Sequence, residues 1–175
     1  MEFVVLAFNK ILIDGGILTA AFLMIVYVIG RTNPRLFLTK NDMPADILAA
    51  VPPQTEKEQK QATLAVIPLM LILTAGTLYS TYTFHLESGA GLLALFLHAF
   101  IILVMISGSD LILMDWLILN TLTPKWAVYL GTEGFAGYKD YGFHGRAHLK
   151  ALPLLLIGAV ISAGFALLLP MIFLK

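Results

Sequence analysis

Four long apolar runs constrain this chain more than any other feature of its sequence. They cover about residues 11–30, 63–84, 90–122 and 152–174. A helix needs about 20 residues at 1.5 Å each to cross a hydrocarbon core about 30 Å thick, so each run is long enough. With 59% hydrophobic and 13% charged residues, a chain of 175 residues carries more apolar surface than a soluble globule would bury. The sequence predicts an all-α, polytopic integral membrane protein with a four-helix transmembrane bundle.

The basic residues distinguish the connections between these runs. Segment 31–62 carries five Lys or Arg, segment 123–150 carries four, and the turn at 85–89 carries none. Basic residues concentrate in cytoplasmic loops of membrane proteins. The two long loops are therefore predicted to form a cytoplasmic cap on a protein of the cytoplasmic membrane, with both termini outside.

The first of these loops contains two local signals. The stretch "PADILAAV" places Ile47, Leu48 and Val51 on one side of a short helix that would lie along the lipid headgroups. Thr55 is followed three residues later by Glu58, which is the pattern of a capping box at a helix start. The second long helix is thus expected to begin outside the hydrocarbon and to run into it.

The third run is too long for one crossing, since 33 helical residues reach about 50 Å. Its inner end must project, tilt, or break at Ser107-Gly108-Ser109. In all three cases Asp110 and Asp115 come near the inner boundary. Because five residues in an α-helix correspond to a rotation of about 140°, these two acids are expected on different faces unless the helix is distorted.

One aspartate and one histidine lie in the apolar runs away from this inner boundary. His98 falls about 12 Å into the third run and has no polar neighbour in sequence, so we expect a neutral imidazole hydrogen-bonded to another helix. Haem ligation would need a second histidine at similar depth. Asp14 lies in the first turns of its run, where the helix dipole and interfacial water stabilise a carboxylate.

The stretch "GTEGFAGYKDYGFHGRAH", residues 131–148, is the most unusual polar segment. Its five glycines can adopt positive φ and leave backbone N–H groups open to an anion. Lys139 and Arg146 add positive charge, while Tyr138 and Tyr141 add flat walls. The segment lacks the glycine and lysine spacing of known phosphate-binding loops.

The same stretch contains His144 and His148, which are four residues apart. This spacing puts two imidazoles on one face of a helix, as metal binding requires. No glutamate follows the first histidine, so the pair is not the motif of zinc proteases. Candidates for a third ligand are Glu133, Asp110, Asp115 and Asp140.

Several functional classes remain after these observations. Eleven basic residues balance eleven acidic ones, and no basic stripe is interleaved with aromatics, which argues against nucleic acid as a partner. The absence of cysteine excludes thiolate chemistry. No motif matches a family of known activity, and the sequence specifies neither a reaction nor a cofactor.

We predict a site at the cytoplasmic interface for an anionic or amphiphilic ligand such as a lipid headgroup. The alternatives are an accessory or assembly subunit of a membrane complex and a small oligomeric transporter. The predicted partners are membrane lipids and either further copies of the chain or a partner membrane subunit. The ligand-binding residues predicted for this site are Lys139, Arg146, Asp110, Asp115, Gly137, Tyr138 and Tyr141, with His144 and His148 as metal ligands.

Overall fold

A computed structural model describes residues 2–173, with side chains from Phe8 to Ile172, and every regular element in this part of the chain is helical. The α-helices are α1 (Glu2–Thr32), α2 (Ala45–Ala50), α3 (Glu56–Ser88), α4 (Leu92–Ser109) and α5 (Tyr141–Phe173). A π-helical segment, Asp110–Leu122, continues α4. Short 3₁₀ turns occupy Pro34–Phe37, Lys125–Ala127 and Ala136–Lys139.

Four helices are long and apolar enough to cross a membrane. They run over Phe8–Thr32, Glu56–Ser88, Leu92–Leu122 and Tyr141–Ile172. Each coincides with one of the predicted apolar runs to within a few residues at the ends, except that the second and fourth helices begin earlier. Many of their exposed side chains are apolar, among them Leu71, Leu93 and Leu154, which is the surface that a lipid environment accepts. The all-helical class and the four spanning-length helices are therefore confirmed.

The chain divides into two compact units, and the first consists of Met1–Phe22, Met70–Ser107 and Ala151–Lys175. Segments of all four long helices pack in this unit through small residues. A side-chain carbon at Gly158 would lie 3.2 Å from Leu103, and one at Gly76 would collide with Leu18. Such close approach suits helix association in lipid, where packing replaces the expulsion of water.

The second unit consists of Leu23–Leu69 and Gly108–Lys150. Its apolar core is centred on Ile47, which is fully buried and packs in one cluster with Leu38, Met43, Tyr129 and Tyr138. The short helix predicted here exists as α2. The expectation that Ile47 faces the headgroups is wrong, because the two tyrosines of the second long loop cover it.

The predicted capping box begins α3. The backbone N–H of Thr55 donates to Glu58 Oε2 at 2.7 Å, and the backbone N–H of Glu58 donates to Thr55 Oγ1 at 3.3 Å. Glu58 also accepts a hydrogen bond of 2.5 Å from Nε of Arg35. This bond raises the pKa of the Arg35 guanidinium, and it fixes the loop of Pro34–Phe37 to the start of α3.

Candidate functional site

The C-terminal part of the third run does not break at Ser107-Gly108-Ser109. It continues as 13 residues of π-helix, Asp110–Leu122, in which hydrogen bonds join residues five apart. At its end the N–H of Thr123 donates to the carbonyl of Ile118 at 2.9 Å. π-Helices are usually single-turn bulges and often occur at functional sites, so a run of this length marks the segment for attention.

This change of helix type places Asp110 and Asp115 together. The sequence analysis put the two acids on different faces because it assumed α-helical rotation. In a π-helix, side chains five apart lie on the same face, as those four apart do in an α-helix. Both carboxylates point at one imidazole: His148 Nε2 is 3.1 Å from Asp115 Oδ2 and 3.9 Å from Asp110 Oδ2.

The two histidines come from the first turns of α5. This helix begins at Tyr141, just after Asp140, whose carboxylate accepts the backbone N–H of Phe143 at 2.9 Å as an N-cap. His144 and His148 are therefore one helical turn apart on one face, as their spacing predicts. His144 is buried, and its Nδ1 lies 3.4 Å from Asp115 Oδ1.

An aromatic contact holds the start of α5 against the π-helix. The indole N–H of Trp116 donates to the carbonyl of Tyr141 at 3.1 Å. The two rings also meet edge to face, with centroids 6.3 Å apart. Together these contacts fix the register between the helix that carries the acids and the helix that carries the histidines.

Asp110, Asp115, His144 and His148 form what we call the Asp–His cluster. Three potential ligand atoms in this cluster lie within 4.8 Å of one another, one each from Asp110, Asp115 and His148. The side chains of these three residues are 24%, 15% and 19% exposed. A partly dry group of two carboxylates and one imidazole has the donor set of a divalent metal site, and the second imidazole, from His144, holds the outer oxygen of Asp115.

Asp42 is a residue that the sequence analysis missed. Burial raises the pKa of its carboxyl group, and the nearby negative charge of Asp115 raises it further, while a hydrogen bond from the hydroxyl of Thr39 lowers it. Asp42 is thus close enough to sense the Asp–His cluster electrostatically. No signal in "LTKNDMP" distinguishes it from an ordinary acid of a polar turn.

Lys139, predicted to bind an anion, contacts the end of the π-helix. Its Nζ donates to the carbonyl of Asn120 at 2.6 Å and of Thr121 at 3.2 Å, and to Thr123 Oγ1 at 2.7 Å. Unpaired carbonyls and the negative end of the helix dipole attract a cation at this position. Lys139 therefore caps the segment that carries the two acids.

Two of the five loop glycines donate backbone N–H groups to carboxylates of the chain itself. The backbone N–H of Gly137 donates to Asp46 Oδ2 at 2.9 Å, and that of Gly131 donates to Glu133 Oε2 at 3.0 Å. A side chain at Gly137 would collide with Asp46 and Pro44, so only glycine allows this approach. These donors are thus occupied within the second unit.

The remaining predicted residues lie around the cluster in other contacts. The hydroxyl of Tyr138 is buried and accepts the backbone N–H of Tyr129 at 2.9 Å. The hydroxyl of Tyr141 is 2.9 Å from Thr121 Oγ1. Arg146 is 64% exposed, and its Nη2 lies 3.5 Å from Asp140 Oδ2. Of the four candidate third ligands, Asp110 and Asp115 meet the histidines, whereas Glu133 and Asp140 hold backbone N–H groups.

An open groove of about 350 Å³ lies in the same unit. Its walls are mostly apolar side chains of α1, α3 and the turn between Leu36 and Asp42, including Ile29, Phe37 and Val66. Asp42 and Thr39 also line it, so the acid whose pKa is raised by burial and by Asp115 of the cluster borders an apolar groove.

Comparison with known proteins finds no family model, no curated protein and no solved structure that matches this chain.

Proposed function

We propose that this chain is an integral membrane protein that binds a divalent transition-metal ion through Asp110, Asp115 and His148. The observation that carries the proposal is the convergence of these three side chains from two helices, with His144 holding the second oxygen of Asp115. Residues that orient a metal ligand in this way raise its affinity for the ion.

The two separations from His148 Nε2 to the carboxylates are close to those around a single ion. Oxygen and nitrogen ligands lie about 2.0–2.2 Å from zinc, so neighbouring ligand atoms are about 3–3.5 Å apart. The separations of 3.1 and 3.9 Å from His148 Nε2 to the two carboxylates need only a small contraction. Mixed imidazole and carboxylate ligands suit zinc, iron(II) and manganese(II), and a cation also offsets two partly buried negative charges.

Three protein ligands leave coordination positions open, as in catalytic metal sites. A phosphate or carboxylate group of an amphiphile would bind there, with its apolar chain in the groove bordered by Asp42. In this proposal the metal supplies most of the charge that attracts the headgroup. Arg146, the exposed cation on the first turns of α5, adds to that attraction, and Lys139 positions the π-helix.

The charge distribution supports a location on the cytoplasmic side of the membrane. Under the positive-inside rule, the basic residues of segments 31–62 and 123–150 favour both loops inside and the termini outside. An accessory subunit would use the same loops for docking, and a transporter would need polar groups along a path. Neither alternative accounts for the shared orientation of two acids and two histidines, which is why we favour the metal site.

The test is a metal titration of the purified protein in detergent after treatment with a chelator. Zinc and manganese(II) are added to the wild-type protein and to Asp115→Asn and His148→Gln. We expect one ion per chain in the wild type. Loss of a direct ligand should lower the affinity beyond the roughly 10–100-fold loss typical of residues that only orient a ligand, and His144→Gln should fall within that range.

Two matched variants serve as controls. Glu133→Gln removes an acid of the same loop, and His85→Gln removes a histidine whose Nδ1 contacts the carbonyl of Ala90 at 2.9 Å in the first unit. Both should bind metal as the wild type does. Equal affinity in wild type and His148→Gln would contradict the proposal, and so would an equal loss in Glu133→Gln. Ala65 also lines the apolar groove, so retention of a copurifying lipid by wild type but not by Ala65→Trp would support the amphiphile.

A further inference from the structure

Asp42 borders the apolar groove of the second unit without a cationic partner from the described chain. Its partly buried carboxylate accepts a hydrogen bond from the hydroxyl of Thr39. None of the ion pairs among the described residues includes Asp42. A carboxylate removed from water is costly unless a cation or several hydrogen bonds compensate its charge. One hydroxyl compensates it only in part, which suits the position to a positive group from a ligand.

The turn that carries Asp42 is held in place on both sides. Leu38 before it and Met43 after it are buried in the core around Ile47. Within the turn, the backbone N–H groups of Asp42 and Met43 donate to the carbonyl of Thr39 at 3.1 Å and 2.9 Å. The fold therefore sets the position of the acid before a ligand arrives, and a preorganised group loses little entropy on binding.

A metal ion in the Asp–His cluster would leave the charge of Asp42 uncompensated. Two carboxylates, from Asp110 and Asp115, balance the two charges of a divalent ion. Asp42 is within electrostatic reach of this site, because, besides the larger effect of burial, the charge of Asp115 raises the pKa of the Asp42 carboxyl group and His144 lowers it. A negative group thus remains beside the position proposed for the headgroup.

The groove runs from this polar turn into apolar surroundings. Asp42 and Thr39 line it together with Val26, in the last two turns of α1, and Leu69, which lies 13 residues into α3. Its volume of about 350 Å³ is that of a small ligand pocket. The ring of Phe37 also lines the groove, and an aromatic face attracts a cation more than an alkyl wall does. A ligand with a charged end at the turn and one apolar chain between the helices matches this arrangement.

We infer that Asp42 binds a positively charged amine in the headgroup of this amphiphile. The inference rests on the proposed function and narrows its ligand to a zwitterionic amphiphile, with a phosphate or carboxylate for the metal ion and an ammonium group for Asp42. An ammonium group has three N–H donors, and the carboxylate has lone pairs beyond the one that Thr39 occupies. A ligand without the amine leaves the acid uncompensated, and a site built for a polar group rejects analogues that lack it.

The test is a competition between two lipids that differ only at the amine. Purified protein in detergent, supplied with manganese(II), is equilibrated with equal amounts of a phosphoethanolamine lipid with one acyl chain and its N-acetyl derivative. Mass spectrometry then measures both bound lipids, and bound manganese is measured in the same samples. N-Acetylation removes the positive charge and leaves a net negative headgroup, so attraction to the metal ion or to basic residues alone would favour the derivative. We expect the wild type to prefer the amine-bearing lipid about tenfold.

Asp42→Asn should bring the ratio of the two lipids close to one, because the amide has nearly the same shape but no charge to attract the ammonium group. Its bound manganese should equal that of the wild type. The matched control is Glu56→Gln, which removes an exposed acid at the start of α3, outside the residues that line the groove. This variant should keep the wild-type preference.

Equal retention of both lipids by the wild type, or preference for the N-acetyl derivative, would overturn the inference. An unchanged preference in Asp42→Asn would do so as well, and loss of manganese in that variant would show that Asp42 is a metal ligand instead. The manganese measurement separates the two claims. Wild-type protein that binds manganese without preferring the amine contradicts this inference alone, whereas wild-type protein that binds no manganese contradicts the proposed function.

Discussion

Asp42 illustrates how a single residue of low sequence signal acquires a specific environment. Its carboxyl group is partly buried beside the apolar groove and near the charge of Asp115, and its pKa is raised chiefly by burial. A carboxylate in such a position opposes folding unless a cation or hydrogen bonds compensate it. Retaining it next to the Asp–His cluster is consistent with a role in ligand binding rather than in stability.

Replacing Asp42 by Asn should therefore stabilise the metal-free protein at pH 7. The raised pKa in the folded state means that the charged form is penalised above that pKa. The penalty disappears as the pH falls below the unfolded value near 4, where both states are protonated. The gain should thus shrink toward zero at acidic pH, as measured by thermal unfolding in detergent with a chelator present.

The exposed Glu56→Gln provides the control for Asp42→Asn, because it removes a carboxylate that is not buried. It should show no comparable gain at pH 7. A destabilised Asp42→Asn at neutral pH would contradict the account of this residue, since it would mean that the carboxylate contributes favourably to the fold.

The sequence predicted the contacts of some single residues and not those of others. His98 in an apolar run required a partner by the cost of burial alone, and Ser80 supplies it. The spacing of His144 and His148 already implied a shared helical face. Lys139 was different, because its three acceptors belong to the end of a π-helix that no sequence pattern announced. Contacts that depend on tertiary structure could thus not be predicted from the sequence.

At the scale of elements, the π-helix is the feature that sequence analysis could not supply. A segment that is apolar on nearly all sides has no clear periodicity, so the angle per residue cannot be measured from "DLILMDWLILNTL". The hydrophobic pattern predicted a helix, and the excess length of the third run predicted that its end projects, tilts or breaks at Ser107-Gly108-Ser109. Because the sequence analysis assumed an α-helix, it placed Asp110 and Asp115 on different faces.

Engineered cysteine pairs can test the helix type, because the chain has no cysteine of its own. Ile112 and Leu117 are exposed and lie five residues apart in the π-helix, whereas Leu92 and Leu97 are exposed and five apart in α4. A short bifunctional thiol reagent should bridge the first pair. It should not bridge the second, which is rotated by about 140°.

The outcome that would contradict the π-helix is equal behaviour of the two pairs. A third pair, at Leu97 and Ile101, is four residues apart in α4 and should be bridged in every case, which verifies that the reagent reaches these positions. If the pair at 112 and 117 reacts no better than the pair at 92 and 97, the two acids of the cluster do not share a face.

For the whole molecule, hydropathy predicted the number and position of the spanning-length helices, because burial in lipid is a property of long segments and tolerates boundary errors of a few residues. The same physics cannot resolve what happens at helix ends. There the polar residues of the second unit have many possible partners, and hydropathy does not predict that two backbone N–H groups of the glycine-rich stretch donate to Asp46 and Glu133.

The central claim is a metal site at the inner face of a membrane protein, and sided binding of manganese(II) tests it most directly. Inverted and right-side-out membrane vesicles containing the protein are mixed with the ion, and electron paramagnetic resonance measures the free ion that remains. We predict about one ion bound per chain in inverted vesicles, with little binding in right-side-out vesicles and loss of binding in Asp115→Asn. Binding from the outside only, or equal binding by wild type and Asp115→Asn, would contradict the account.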